Sequence, residues 1–502
     1  MRKTIFFVAA GVLVFLPFLN AAEKKAAPEK DKTEATKDTA APEETYMWFN
    51  KFCAENFGAE KEPLVYQKFG EALQISAGGS WNHISEKSAC FAWETNLPSK
   101  TYVEYGETTS YGNKTALPER FFYLQLHYLK GLEIGKTYHY RLVATDERGR
   151  TIKTEDAVFE TKKIPGAIHI PGTLGEPPYT LDRKDATYIL DKDIVSATLG
   201  AKIAASGVTL DLNGFSITYD EGTPKVKSEK WGEYANNDEA THGVRIKDKF
   251  TGIKILNGTI KQGKNNGKGI TGIGFNPVYN KAHSVEIAGV TVEYSGDDVS
   301  GIREVSDIHH CVVTDKGAGI KNRHQGLDAI TGYYGRNTPE KGYEIHHVLV
   351  KRCRHRGIVN YKNYFNNEVY LDSYATNSYG LGLIYGSDTK YVNNRIFGGG
   401  YHVCAFAWGN KSQFINNFVH LKGEKLPDKR SKEYGDSASV NGFRLTQYNK
   451  GKVPYENNLY SDNTVVIKVK DKRQARGVQF FSDPYVKDLV FKNSTIKVEA
   501  ED

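Results

Sequence analysis

Cysteine is scarce in this chain, with five in 502 residues, at Cys53, Cys90, Cys311, Cys353 and Cys404. They are odd in number, widely spaced and never arranged as CxxC or as a Cys/His finger, so neither a disulfide framework nor a structural zinc site is expected. Cys53 and Cys90 could pair in an oxidising compartment, and the other three read as buried thiols. A glycine-rich phosphate loop and a zinc-protease motif are both missing, which leaves nucleotide-driven phosphoryl transfer and zinc proteolysis without a basis. Neither a leucine register nor a Gly-x-y period occurs, which excludes leucine-rich and collagen repeats. The net charge is a mild +7, compatible with an anionic partner and too small to argue for nucleic acid.

One apolar run stands out, Thr4 to Leu19, after Met1-Arg2-Lys3 and before Asn20-Ala21-Ala22. Those three regions are those of a secretory signal, here residues 1–22. The run is short for a membrane span, so removal rather than anchoring is expected, with no span afterwards and a secreted or periplasmic location. Residues 23–45 hold almost only Lys, Glu, Asp, Ala, Thr and Pro. Such a segment cannot bury enough apolar surface to offset its chain entropy and reads as a flexible tether.

Short alternating runs follow at Ala89 to Trp93, Thr101 to Tyr105, Tyr123 to Tyr128, Thr137 to Ala144 and Asp156 to Glu160. Alternation with turn residues between is the pattern of a small β-sandwich, placed at 46–165. Ala92-Trp93-Glu94-Thr95, Val103-Glu104-Tyr105-Gly106, Thr137 to Leu142 and Phe159-Glu160-Thr161 make this stretch resemble a fibronectin type III domain. That resemblance implies a spacer or binding module, with His127 as a sandwich residue.

Residues 166–502 carry a repeat. One column holds Asn213, Asn257, Gly289, His310, His347, Asp372, Asn394, Asn417, Asn463 and Asn493, each followed by a β-rich run. A second column is a glycine that opens another strand, at Gly243, Gly272, Gly301, Gly326, Gly357, Gly380, Gly442 and Gly477, with the region near His402 standing in for one. Stacked coils set like residues over like at the strand spacing of about 4.8 Å, and Asn tolerates the left-handed turn. The fold class expected is all-β: a right-handed parallel β-helix of about ten coils behind the sandwich. Tyr188 to Ile217, above all Val208-Thr209-Leu210-Asp211-Leu212-Asn213-Gly214, resembles the first coil of the pectate-lyase-like superfamily. The resemblance extends over this whole region and implies architecture rather than a particular reaction. Breaks in the period at about 219–242, 331–341 and 421–440 are expected to be loops that build binding surface.

Counting back from the glycine column sets Arg323-His324 of one coil over Arg354-His355 of the next. Two stacked guanidinium groups repel unless an anion lies between them, which suggests a site for a sugar carboxylate or sulfate. His324 or His355 would be the base, Tyr361 or Tyr379 the acid, and Asp328 would orient His324. Arg356, Tyr379, Tyr385, Lys362, His402, Arg303, Arg444 and Trp408 are candidate substrate contacts around them. A solvated basic ridge is the plain alternative. His309-His310 over His346-His347 reads either as turn-filling imidazoles or as a metal site. Gly296-Asp297-Asp298 is similar to the paired aspartates of polygalacturonases, but the companion Asn-Thr-Asp, Gly-His-Gly and Arg-Ile-Lys motifs are absent. Asp297 and Asp298 suggest calcium as the one cofactor. The function expected is a monomeric, exported protein acting on an anionic polysaccharide, a lyase first. The alternatives are a glycoside hydrolase drawing on Asp297, Asp298, Asp328 and Asp372, or a non-catalytic polysaccharide-binding protein.

Overall fold

The computed structural model describes residues 5–8, 64–222, 241–247, 250–265, 271–275, 284–296, 299–317, 328–332, 343–373, 378–382, 388–400, 402–407, 409–423, 439–445, 455–469, 475–480 and 486–500. The breaks in the repeat period at 219–242, 331–341 and 421–440 fall largely outside these residues, as does Cys53.

The N-terminal module is antiparallel throughout. Its strands are β1 (Ile75–Ile84), β2 (Ser88–Gly106), β3 (Asn113–Lys114), β4 (Phe122–Lys130), β5 (Thr137–Asp146), β6 (Thr151–Lys153) and β7 (Ala157–Glu160). Strand β2 runs for 19 residues and serves two layers. Its first half pairs with β1 and β4, its second half with β3 and β5, and β5 carries β6 and β7. The pairing with β4 shifts between Glu94 and Ser99, across Pro98, which has no N–H to give to a ladder. Phe91, Trp93 and Leu129 from one layer share a core with Val103, Tyr138 and Phe159 from the other. His127 is buried there, bonded to Thr101 and Thr115 and stacked on Trp93.

The rest of the chain is a rod of parallel strands with three faces. Faces A and B form one long sheet and face C an 11-stranded sheet, so the described residues make up eleven coils. Each coil passes from A through a tight turn to B, then to C, and pairs strand for strand with the next coil. This all-β arrangement of long parallel sheets is consistent with a right-handed parallel β-helix. The last strand of face B, Thr495–Ala500, pairs antiparallel with Ile5–Val8, part of the segment read as a leader.

The A-to-B turn corrects one register. It consists of two adjacent columns, which the sequence pattern merges into one. Asn213, Asn257, Gly289, His310, His347, Asn366, Asn393, Asn416, Asp462 and Asn493 have left-handed φ between 47° and 61°. One residue later, Asn367, Asn394, Asn417 and Asn463 form a buried amide ladder. The Nδ2 groups of the first three each donate to the Oδ1 of the next, at 3.0, 3.1 and 2.8 Å. Asp372 belongs to neither column: it pairs with Gly399 inside face B, and Asn367 takes its place. The glycine column also shifts in one coil, where Ala329 and not Gly326 aligns with Gly301 and Gly357, as the flanking pairs Ile302–Ile330 and Ile330–Ile358 require. A Cβ at Gly301 would lie 2.6 Å from the Ala329 carbonyl oxygen and 2.8 Å from Val313, so only hydrogen fits there without a shift of the neighbours.

Inside the rod, Tyr364, Tyr391, Phe414, Tyr460 and Phe491 stack along the face A side with centroids 4.6, 4.6, 4.8 and 4.5 Å apart. The separation equals the coil spacing, so the same strand geometry that pairs the backbones pairs the rings.

The module lies along the A-to-B turns. Ser88 Oγ bonds to Asn213 Oδ1 at 3.0 Å and accepts from Asn257 Nδ2 at 2.9 Å, while Tyr128 donates to the Gly258 and Gly289 carbonyls at 2.9 and 3.0 Å. Further along, Glu368 accepts the backbone N–H groups of Tyr123 and Leu124, and Glu94 pairs with Arg395. Phe122, Tyr123 and Leu124 share a core with Tyr370, Phe397 and Phe418 of the rod. Cys90 is a free, buried thiol on this seam, so the suggested bridge to Cys53 is not made.

Candidate active site

Each face C strand puts two positions in a row into the core, the glycine column and the next, as in Ala329-Ile330 and Ala405-Phe406. The residues on either side of that pair leave the core on the outer side. On successive coils this brings Asp328, Arg356 and Tyr379 into one row, with Arg303 and Thr331 beside them. Asp328 is ion-paired with Arg356 Nε. Arg356 Nη1 donates to the Tyr379 hydroxyl at 3.0 Å, with its guanidinium 5.5 Å from the ring centroid. Arg303 Nε stands 3.6 Å from Glu304 Oε1. Asp328 is 2% exposed and Tyr379 1%, whereas the Arg356 side chain keeps 13%. Burial pushes the Asp328 carboxyl above its ordinary range, against the pull of Arg356, Arg303 and the hydrogen bonds from Arg356 and Thr331. A buried carboxyl between two guanidinium groups is a balanced arrangement that is costly to build and sensitive to an added charge.

Among the sequence candidates, Arg303, Asp328, Arg356 and Tyr379 therefore meet, and Arg444 lies further along the same face, in register with Ala407. Three do not act as expected. Arg354 is 5% exposed, its Nε on Asp315 at 2.7 Å and Nη2 on the Ser295 and Gly296 carbonyls at 3.2 and 3.1 Å, so this guanidinium pins a corner and is not offered to a ligand. Tyr361 is buried in the rod and donates to the Val305 carbonyl at 2.9 Å, so its proton is already committed there. Asp372 is likewise held by Arg352 Nε at 2.8 Å, both side chains buried. The stack of Arg323-His324 over Arg354-His355 was counted from Gly326, whereas Ala329 holds the column position, and Arg323 and His324 themselves lie outside the described residues.

His355 is half-buried between Arg354 and Arg356 at the B-to-C corner, and Lys362 is half-buried where the chain enters face A. Arg323, His324, Tyr385, Trp408, Asp297 and Asp298 lie outside the described residues, and so does the side chain of His402. His309 stacks on His346 and His310 on His347, with centroids 5.0 and 4.8 Å apart. His310 and His347 fill left-handed turn positions, and among the described residues no group of three or more His, Cys, Asp or Glu is placed to hold a metal ion. Thr331 and Glu304 complete the cluster and went unnoticed in the sequence. Placing Ala329 in the glycine column would have brought Thr331 to the position of Arg303.

No protein-family model and no curated protein matches this chain. Among solved structures it is similar to a family 28 exopolygalacturonase of Yersinia enterocolitica, at 10% identity and TM-score 0.30, covering 84% of this chain and 98% of that one. It is also similar to a pectate lyase of Erwinia chrysanthemi, at 12% identity and TM-score 0.20, covering 86% and 94%. A pectate lyase of Pectobacterium carotovorum follows at 11% identity and TM-score 0.17, covering 84% and 100%. At such scores the likeness says nothing of activity. No helix among the described residues is long and apolar enough to cross a membrane.

Proposed function

We propose that this chain is an exported, monomeric enzyme that cleaves an anionic polysaccharide by elimination, with its substrate along the outer side of face C. The observation that carries the reading is the meeting of Arg303, Asp328, Arg356 and Tyr379 on neighbouring coils. Removing the proton beside a uronate carboxylate becomes feasible only where the growing negative charge is neutralised. Arg356, whose side chain keeps exposed area, would meet that carboxylate with the buried Arg303 behind it, and Asp328 keeps Arg356 aimed. His355 takes the proton, the carbon–oxygen bond to the leaving sugar breaks, and Tyr379 gives its proton to that oxygen.

The test is an assay on uronate-containing and sulfated polymers. Ultraviolet absorbance from unsaturated ends supports elimination. New reducing ends without that absorbance mean hydrolysis, for which the raised Asp328 carboxyl would suit a general acid. Neither signal means a binding protein. In an active enzyme, Arg356→Ala is expected to lower turnover about 100-fold or more, the size of losing one charge-stabilising donor.

Two further parts of the reading are proposals of the same kind. The module is read as fibronectin type III-like, supported by the way β2 joins a β1–β4 layer to a β3–β5 layer. Calcium at Asp297 and Asp298 would lower turnover on chelation and restore it on return.

A further inference from the structure

Round the corner from that cluster, on the outer side of face B, lies a cleft of about 410 Å3. Its floor is set by the strand register, which lines up Thr218, Lys261 and Glu293 on successive coils. Its wall is the Ser295-Gly296 backbone, held from both sides. Gln262 Oε1 accepts both of their N–H groups at 2.9 Å, and Arg354 donates to both of their carbonyls. Gln262 is itself fixed by donating to Asp220 at 2.9 Å, and Arg354 by Asp315. A wall tied down by four hydrogen bonds cannot relax into the space beside it, which is the preorganisation a binding site needs. The volume falls within the range of about 300–1,000 Å3 common for small-molecule sites.

The charges around the cleft are unequal. Lys264 pairs with Glu221 and Lys316 with Glu293, each at 2.9 Å. Lys261, between them, makes no hydrogen bond or ion pair among the described residues. One uncommitted ammonium group in a rigid cleft calls for an anion, and the hydroxyl, amide and carboxylate groups nearby suit sugar hydroxyls.

We propose that this cleft is a second saccharide site, separate from face C, that holds one carboxylated or sulfated sugar unit with its anionic group on Lys261. The proposal rests on the reading that the chain takes an anionic saccharide. The Ser295-Gly296 wall leads within a few residues to Ser300 of face C, so one polymer could occupy both.

Calorimetric titration of the full chain with a uronate hexamer, a sulfated hexamer and neutral cellohexaose tests it. The expected result is that at least one anionic hexamer binds, cellohexaose does not compete, and Lys261→Gln weakens the anionic ligand about tenfold, the worth of one charge-assisted hydrogen bond. Lys261→Glu should weaken it further at an unchanged melting temperature. If wild type and both variants bind the hexamer equally, the second site is overturned while the function reading stands. If wild type binds no anionic hexamer, that reading fails and the site with it.

Discussion

A Cβ on Gly289 would lie 2.4 Å from the Trp81 ring and 2.9 Å from Cys90 Sγ, which is why the left-handed column gives up asparagine there. Asparagine would satisfy the turn and still be wrong, because the module occupies its space. Gly289→Asn should therefore cost about 1–3 kcal/mol by overpacking, read as a fall in chemical-denaturation midpoint, whereas Asn416→Gly, in the same column but away from Trp81, should cost about 1 kcal/mol or less. Glu94 faces a different constraint. Its carboxylate is shared between Arg395 and His347, and Glu94→Gln leaves a buried guanidinium unpaired, a loss of about 3–5 kcal/mol. The seam should also be sensitive to acid. Burial holds His310 at about 2 and His346 at about 4, below the usual 6.5. Burial raises Glu94, but Arg395 and His347 outweigh it and hold the carboxyl at about 2, below the usual 4.5. In the unfolded chain these histidines take up protons below about 6.5, and Glu94 below about 4.5, while the folded forms resist. All three terms have the same sign, so stability should fall as pH drops from 6.5 towards 2. His310→Asn, which keeps the left-handed turn, should flatten the upper part of that slope in denaturation curves taken at stepped pH. An unchanged slope would count against the histidines.

Stacked coils were legible in the sequence because identical residue types recur at coil length, and Asn394 and Asn417 do lie hydrogen-bonded on one another. The offset of one between the turn column and the amide ladder was not legible. Asn393-Asn394 and Asn416-Asn417 are doublets, and a pattern reader cannot tell which member turns and which points in. The same limit hid the site: Arg303, Asp328, Arg356 and Tyr379 were each picked out, but taking Gly326 for the column glycine set Arg323 over Arg354 instead of Asp328 beside Arg356. In the module, Ala89 to Trp93 and Thr101 to Tyr105 look like two strands because Pro98 intervenes, yet they are halves of β2. The aromatic stack shows what an element contributes once its register is fixed. Phe414 touches rings on both neighbouring coils. Phe414→Ala should cost about 3–5 kcal/mol, with hydrogen exchange rising in the adjoining coils and not at the far end of the rod, because each coil packs only on its neighbours.

At the scale of the molecule, the module closes the A-to-B turns and, among the described residues, part of the outer side of face B. The module covers the A-to-B turns and fills an apolar patch of the rod made by Tyr370, Phe397 and Phe418. A chain cut to residues 166–502 would present those rings and an unpaired Arg395 to water, and it should be recovered mainly as aggregate, measured as soluble yield against the full chain. The arginine cluster lies on face C, and the Lys261 cleft on face B beside Ser295.

The way β2 crosses the turns has a consequence for assembly. Its alternate residues advance about 6.7 Å while the coils beneath repeat at about 4.8 Å. Ser88, Cys90 and Glu94 reach Asn213, Gly289 and His347 on the turn column. Slipping the module by a single coil would keep that spacing but set Cys90 and Trp81 against the side chain of Asn257 or His310 instead of the space that Gly289 leaves, so a repetitive surface still accepts its partner at one position.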